Sequence, residues 1–312
     1  MSLDRALELA AGVAGIAYPN PTVGAAVVAD GEVVGEGATE AYGGRHGEIV
    51  ALAAAGDRAR GATLYVSMEP CGHHGKTPPC VDAIVEAGIA RVIAGCLDPN
   101  PEAAGGLALL RGAGVEAEID DRFEARRQNE AWRTWKTLAR PFVTYKVATT
   151  LDGRVTVPGR RWVTGEDSRR HVHELRAASD AVAVGMGTVR ADAPRLDARD
   201  IPFMRQPRRL AFGRGPLPAD SELELRSGLL ADELATLAAE GVQSLLLEGG
   251  PTLATAFVEA DLVDRVIVFV APIRSGDGPR FLNDLTASRT LSHLSARTVG
   301  EDVLLEAYLH AP

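Results

Sequence analysis

The stretch Met68-Glu69-Pro70-Cys71-Gly72-His73-His74-Gly75-Lys76-Thr77-Pro78-Pro79-Cys80 decides how this chain is read. It carries two of the three cysteines in 312 residues, and His46-Gly47-Glu48 lies upstream of it. One imidazole and two thiolates are a donor set for zinc. Three protein ligands leave the fourth position open to water, which is the arrangement of a catalytic site. His46, Cys71 and Cys80 are therefore the expected metal ligands. Glu48 is the expected catalytic residue, taking a proton from water and passing it to a departing amine. At i and i+2 two residues do not share a face in mid-helix, so the pairing of His46 with Glu48 requires that His46 open the helix. A closed structural site would need a fourth protein ligand, for which His73 or His74 is at hand. Without metal the two cysteines would be small buried hydrophobes, and Cys96, ending an apolar strand, reads as core.

The rest of the chain sets the context. Its length suggests two domains, and 46% hydrophobic with 24% charged residues is an ordinary globular composition. The net charge of −9, with no Lys/Arg block, excludes a general nucleic-acid binder, which needs a basic footprint. Three cysteines do not make a disulfide framework, so a reducing cytoplasm is expected. The N-terminus lacks the basic region of a signal peptide, and no apolar run reaches membrane-spanning length.

Periodicity gives the elements. Leu3, Leu7, Ala10 and Val13 or Ala14 predict a short amphipathic helix, and Val23–Ala29, Asp30-Gly31 and Glu32–Gly37 a hairpin. Next come a helix over His46–Ala55, a strand over Thr63–Met68, a helix over Pro79–Ala87 and a strand over Arg91–Cys96. Leu107–Ala113 reads as a helix and Val115–Ile119 as a strand. This alternation indicates an α/β layer domain. Asp121–Ala139 reads as one charged helix that links two domains, with Trp132 and Trp135 as packing residues. Beyond it, Phe142–Thr150, Ala181–Gly187, Arg208–Phe212, Ser244–Leu247, Arg265–Ala271 and Val303–Leu309 are expected strands. A helix capped by Thr164 runs to about Ala178, and another covers Thr252–Glu259. The glycine turns Gly185-Met186-Gly187-Thr188 and Glu248-Gly249-Gly250 can bring backbone N–H groups to a phosphate, although there is no G-x-G-x-x-G.

The zinc-deaminase signature is H-x-E…P-C-x-x-C, but here the second cysteine follows nine positions after the first (80 − 71 = 9). With that inserted loop, Pro19-Asn20-Pro21-Thr22-Val23-Gly24, the Asp30–Gly37 hairpin and Asp98-Pro99-Asn100-Pro101, the chain resembles the bifunctional riboflavin-biosynthesis deaminase–reductase family. Lys146-Val147-Ala148-Thr149-Thr150-Leu151-Asp152-Gly153, Trp162-Val163-Thr164-Gly165 and the two glycine turns resemble its reductase half. The resemblance implies a cytidine-deaminase-like three-layer domain over residues 1–140 and a dihydrofolate-reductase-like domain over 141–312. It implies deamination of 2,5-diamino-6-ribosylamino-4(3H)-pyrimidinone 5′-phosphate, then reduction of the ribosyl group to ribityl with NADPH. In that family's pattern Asn20, His73, Lys76 and Thr77 would contact the pyrimidine nucleotide. Lys146, Arg176, Arg199 and Glu248 would contact the sugar phosphate being reduced. Thr150, Asp152, Gly185, Gly187, Thr188, Gly249 and Gly250 would meet the dinucleotide. The implied partner is a small phosphorylated pyrimidine, with neither nucleic acid nor membrane, in a homo-oligomer, a dimer, joined through the reductase half.

The chain departs from the family pattern in places. Gly47 stands where alanine is usual, Asp192-Ala193-Pro194 replaces Asp-Asp-Pro, and Arg160 replaces a small polar residue. The stretch from Arg199 to Gly241 is short, so the strand after Arg208–Phe212 and part of the nucleotide-binding region are expected to be missing. Arg205, Arg208, Arg209 and Arg214 cluster there, either against a phosphate or on a solvated surface. The alternative is a deaminase whose degenerate second domain serves only oligomerisation.

Overall fold

The computed structural model describes residues 3–75, 78–202, 205–282 and 288–312. Two compact units emerge, Met1–Leu138 with Pro312, and Ala139–Ala311.

In the first unit α1 (Leu3–Gly12) precedes the hairpin β1 (Gly24–Ala29) and β2 (Glu32–Ala38). Then follow α2 (Gly47–Ala55), β3 (Thr63–Val66), α3 (Cys80–Glu86), β4 (Arg91–Ala94), α4 (Gly106–Gly112) and β5 (Glu116–Ile119). The sheet order is β2-β1-β3-β4-β5, with β1 antiparallel to both neighbours and β3, β4 and β5 parallel. Side chains alternate across a sheet. Gly24 faces Ala6 of α1, whereas Gly37, paired with the next residue Ala25, faces Ala51 of α2, so the two helices cover opposite faces. The core between the layers includes Val27, Leu64, Val66, Ile84 and Val92. Three layers are the result.

Gly47 shows how closely the layers approach. A Cβ there would come 2.5 Å from the Val23 carbonyl oxygen, a backbone atom that cannot rotate away. Gly47→Ala should gain about 1 kcal/mol of helix propensity yet lose about 1–3 kcal/mol to overpacking. A thermal melt of the variant is expected to fall below that of the parent, and a raised melting temperature would show that the layers can part.

The long charged helix expected over Asp121–Ala139 is instead two, α5 (Phe123–Gln128) and α6 (Glu130–Leu138). The break falls at Asn129, whose buried side-chain amide brackets Thr22: Oδ1 accepts from the Thr22 N–H at 2.8 Å and Nδ2 donates to its carbonyl at 2.9 Å. Trp132 lies in the core of this unit, and Trp135 packs against that core.

The second unit starts with β6 (Phe142–Thr150), α7 (Glu166–Ala177), β7 (Ala181–Gly185), α8 (Met186–Asp192) and β8 (Arg208–Phe212). It continues through β9 (Glu224–Arg226), α9 (Leu230–Ala239), β10 (Ser244–Leu247), α10 (Pro251–Glu259) and β11 (Arg265–Ala271), and ends in the hairpin β12 (Ser292–Val299) and β13 (Asp302–Tyr308). The eight-stranded order is β12-β13-β11-β6-β10-β7-β8-β9, parallel from β11 to β9 and antiparallel in the closing hairpin. Alternation along β7 sends Ala181 and Ala183 into a core with Leu237 and Phe257, and Val182 and Val184 into another with Val189 and Leu246.

Three expectations need correction here. The strand after β8 is not missing: β9 is present at three residues, followed by α9. Arg208 and Arg226 tie these pieces together through Glu224 and Glu240. The N-cap of α7 is Gly165 rather than Thr164. Asp302, buried on β13, caps that helix from a distance, accepting from the Gly165 N–H at 2.9 Å and the Ser168 hydroxyl at 2.6 Å. Finally, β7 ends at Gly185, because Met186 already begins α8.

Among the described residues no helix is long and apolar enough to cross a membrane.

Candidate functional site

Two elements aim at one spot in the first unit. His46 is the N-cap of α2, with extended backbone (φ −72, ψ 156), so its side chain does not follow the helical spacing. Glu48 lies on the buried stripe of α2 with Ala51, Leu52 and Ala55, the i, i+3, i+4 pattern of a core-facing helix. Their convergence at i and i+2 is therefore possible. Cys71 lies in the connection that follows β3, and Cys80 opens α3. Two backbone bonds fix the pair: the Cys80 N–H donates to Cys71 Sγ at 3.4 Å, and the Val81 N–H to the Cys71 carbonyl at 3.3 Å.

His46 Nδ1 lies 3.2 Å from Cys80 Sγ and 3.6 Å from Cys71 Sγ, and the three ligand atoms all fall within 4.8 Å of one another. Tetrahedral zinc with ordinary Zn–S and Zn–N bonds sets its N···S edges at about 3.5 Å. The residues fit the metal. A second observation agrees: Glu48 is buried, and its Oε2 has no hydrogen-bond partner among the described residues. A buried carboxylate oxygen costs about 1–3 kcal/mol if left unsatisfied, and a water on a metal held by the three donor atoms would satisfy it. Burial pushes the Glu48 carboxyl up to about 7. Cys71 is pulled down, first by the hydrogen bond from the Cys80 thiol, which is itself pushed up.

The surroundings support the cysteine loop. Buried Glu69 accepts from the Leu107 N–H at 3.0 Å and the Asp98 N–H at 3.2 Å. The Gly72 N–H donates to the Ala103 carbonyl. A Cβ on Gly106 would fall 1.8 Å from the Pro70 carbonyl oxygen, so α4 abuts the segment that carries Cys71. His73 is half-buried, and its Nδ1 has no hydrogen-bond partner among the described residues. Asn20 is exposed, on the segment that Asn129 holds through Thr22. The strand that follows it, β1, starts beside the end of β3, with Ala25 opposite Val66. Lys76 and Thr77 lie outside the described residues. Cys96 is buried core, donating to the Ser67 carbonyl at 3.5 Å. The sequence reading missed Glu69 and Asn129; a glutamate beside Pro70-Cys71 and a lone Asn inside a charged helix were the available signals.

In the second unit Glu248, at the end of β10, is buried between two cations. Lys146 Nζ donates to its Oε2 at 3.0 Å, and Arg176 donates through Nε to Oε1 at 2.6 Å and through Nη2 to Oε2 at 3.1 Å. Burial would raise the Glu248 carboxyl, but Lys146 and Arg176 outweigh it and hold it down at about 2. The Asp197 carbonyl accepts from Arg176 Nη1 and lies 3.1 Å from His173 Nδ1, while its carboxylate pairs with Arg199 and Arg195. Lys146, Arg176, Glu248 and Arg199 are thus brought together. Thr150 and Asp152 tie the end of β6 to the 275–276 loop: the Thr150 hydroxyl and the Ser275 N–H donate to Asp152 Oδ1, and the Gly276 N–H to its Oδ2. The glycine turns meet at one sheet edge, where the Glu248 N–H donates to the Ala183 carbonyl and a Cβ on Gly250 would lie 3.6 Å from Thr188 Oγ1. Of the four arginines singled out after residue 199, Arg205 pairs with Asp180, Arg208 with Glu224 and Glu240, and Arg209 with Glu222.

A three-layer α/β unit with a zinc-type donor set, followed by a second α/β unit built on a mostly parallel eight-stranded sheet, defines a two-unit enzyme of the zinc-deaminase class. Residues 2–96 match the cytidine and deoxycytidylate deaminase zinc-binding region, and residues 141–305 match the RibD C-terminal domain. The riboflavin biosynthesis protein RibD of Aquifex aeolicus is 38% identical, over 97% of this chain and 96% of that protein. Two solved structures are similar at 32% identity, each covering 98% of this chain and 97% of the other. They are Acinetobacter baumannii RibD, with a TM-score of 0.85, and a diaminohydroxyphosphoribosylaminopyrimidine deaminase/5-amino-6-(5-phosphoribosylamino)uracil reductase from Thermotoga maritima, with a TM-score of 0.83. The chain belongs to the RibD family of riboflavin-biosynthesis enzymes. No observation favours the reading in which the second domain has lost its chemistry.

Proposed function

We propose that the chain deaminates 2,5-diamino-6-ribosylamino-4(3H)-pyrimidinone 5′-phosphate and then reduces the ribosyl group of the product to ribityl with NADPH. The observation that carries the first step is the Oε2 of buried Glu48, without a hydrogen-bond partner among the described residues, in the same helix turn as the His46 ligand atom that gathers with those of Cys71 and Cys80. Zinc held by these three residues would lower the pKa of water toward neutrality. Glu48 is placed to accept a proton from the attacking water and to return it to the exocyclic amine, which would leave the ring carbon as ammonia. His73 and Asn20 orient the pyrimidine, with Lys76 and Thr77 assigned to the same loop by family pattern.

For the second step the Lys146–Glu248–Arg176 cluster faces the sugar. Glu248 keeps both cations fixed, and Lys146 offers a donor to the imine nitrogen that takes up the electron pair as hydride reaches the sugar carbon of the opened ring. Arg176 and Arg199, gathered around Asp197, hold the substrate phosphate. NADPH supplies the hydride, and Gly185, Gly187, Thr188, Gly249 and Gly250 give it a backbone cradle. Thr150 and Asp152 support that cradle by fastening the 275–276 loop to the end of β6.

The net charge of −9 disfavours nucleic acid as a partner, and the free cysteines suit a reducing cytoplasm. A dimer through the second domain is supported by β12, a sheet-edge strand exposed on nearly its whole length, Leu294 included. Size-exclusion with light scattering measures that state directly.

The deciding assay is mass spectrometry of products from the diaminopyrimidinone ribosyl phosphate, with and without NADPH. Deaminated product in both cases, and reduced product only with NADPH, is expected; NADPH left unconsumed would remove the second step. Chelation provides a further check. Stripping the metal with a strong chelator should lower the melting temperature and abolish deamination, both restored by zinc. Unchanged melting and turnover after complete metal removal would overturn the zinc assignment.

A further inference from the structure

Asp197 is a hub for basic side chains in the second unit. Its carbonyl oxygen accepts from His173 Nδ1 at 3.1 Å and from Arg176 Nη1 at 3.2 Å, and its carboxylate pairs with Arg199 at 2.5 Å and with Arg195 at 2.7 Å. The segment that carries it has an uncommon backbone. Leu196 and Asp200 have positive φ, 56° and 61°. The Gln206 amide clamps Ala198, accepting from its N–H at 2.9 Å and donating to its carbonyl at 2.7 Å. Positive φ in a leucine costs strain, which persists where the surroundings impose it and collects at binding sites.

His173 is the member of this cluster without a fixed charge. A carbonyl only accepts, so Nδ1 carries the proton of the neutral ring, and Nε2 is the nitrogen left to take another. Nε2 has no hydrogen-bond partner among the described residues. The charges around the ring are uneven. On α7 and β6 stand Arg176 and Lys146, at the end of β10 Glu248, and on the segment after α8 Arg195, Asp197 and Arg199. Four positive charges against two negative ones leave a net charge of +2. Burial first, then Arg176 and Arg199, push the imidazole below its ordinary value. A phosphate dianion brings the two charges that cancel the excess.

We infer that His173 takes a proton onto Nε2 when the phosphate of the reductase substrate binds between Arg176 and Arg199, and so adds a third cation to that pocket. This deepens the proposal that those two arginines hold the phosphate, and rests on it. The proton comes from solvent, and Nε2–H is the one covalent bond made. Binding is thereby tied to pH with a definite sign. At pH 7 the unliganded ring is neutral and the liganded ring charged, so affinity falls as pH rises from 6.5 to 8.5.

The test is calorimetric titration of the full chain with ribose 5-phosphate at pH 7, in two phosphate-free buffers of different ionisation enthalpy, repeated for R199A and H173N. Ribose 5-phosphate is largely dianionic at that pH and releases few protons itself. R199A should bind it about tenfold or more weakly, which locates the ligand in this pocket. The parent should take up a large fraction of a proton per ligand bound. H173N should take up none, because asparagine keeps a donor for the Asp197 carbonyl but does not titrate. H173N should also bind about fivefold more weakly than the parent at pH 6.5, and as tightly at pH 8.5. Binding to the parent without proton uptake, or equal uptake by H173N, would overturn the role of His173 and leave the phosphate pocket standing. A parent that does not bind ribose 5-phosphate, or binding indifferent to R199A, would remove the pocket and the proton uptake with it.

Discussion

Glu48→Gln should retain zinc and lose deamination by a factor on the order of 10²–10⁴, the contribution of a positioned proton-transfer group. Glutamine keeps the shape and the hydrogen-bonding length of glutamate, so the His46, Cys71 and Cys80 donor atoms are undisturbed. It cannot accept and return a proton. Stability should move the other way or stay level, because burial already raises the Glu48 carboxyl to about 7 and an uncharged amide removes that desolvation cost. Metal content by atomic absorption, turnover and melting temperature together separate the cases. A variant that has lost its zinc would make Glu48 a structural residue, and one that turns over like the parent would rule it out as the proton shuttle.

The second large effect concerns Glu248. Its carboxylate is held between Lys146 and Arg176, all three largely buried. Glu248→Gln would leave two cations facing each other without a counter-charge, at a cost of about 3–5 kcal/mol, the range for breaking a buried ion pair. Chemical denaturation should show a lower midpoint, and reduction should be lost with it while deamination by the first domain survives. The pH dependence has a definite sign. The folded carboxyl sits at about 2, below the roughly 4.3 of an unfolded glutamate. The stabilisation is therefore complete above about pH 5 and is lost as pH falls through 4 toward 2. The stability gap between parent and variant should narrow over that acid range; a gap independent of pH would show that the charge of Glu248 is not what matters.

The zinc site was legible because its chemistry is written in residue type: one histidine, two cysteines and a glutamate at distinctive spacing. The strands of both sheets were legible from short β-branched runs such as Val143–Val147 and Ala181–Val184. What escaped has a common cause. Ser292–Val299 carries no apolar alternation, since it is a sheet edge exposed on both faces, and only its pairing with β13 makes it a strand. Glu224–Arg226 is three residues held by Arg208, Glu224 and Glu240 rather than by a hydrophobic pattern. Asp302 caps α7 across 137 positions of sequence, where local spacing suggested Thr164. Local pattern cannot report contacts made at that distance.

Asn129 bears on how the two activities can be taken apart. The zinc-binding region matches only as far as residue 96, yet the Thr22 backbone is held by a side chain 107 positions downstream. A deaminase cut back to the matching region would keep every metal ligand and the proton shuttle, but would release the segment carrying Asn20. The smallest fragment with a chance of autonomous activity runs to Leu138. Anyone grafting this domain onto another partner should place the junction after α6, since straightening the interruption between α5 and α6 into an ideal helix would remove the anchor while improving the helix.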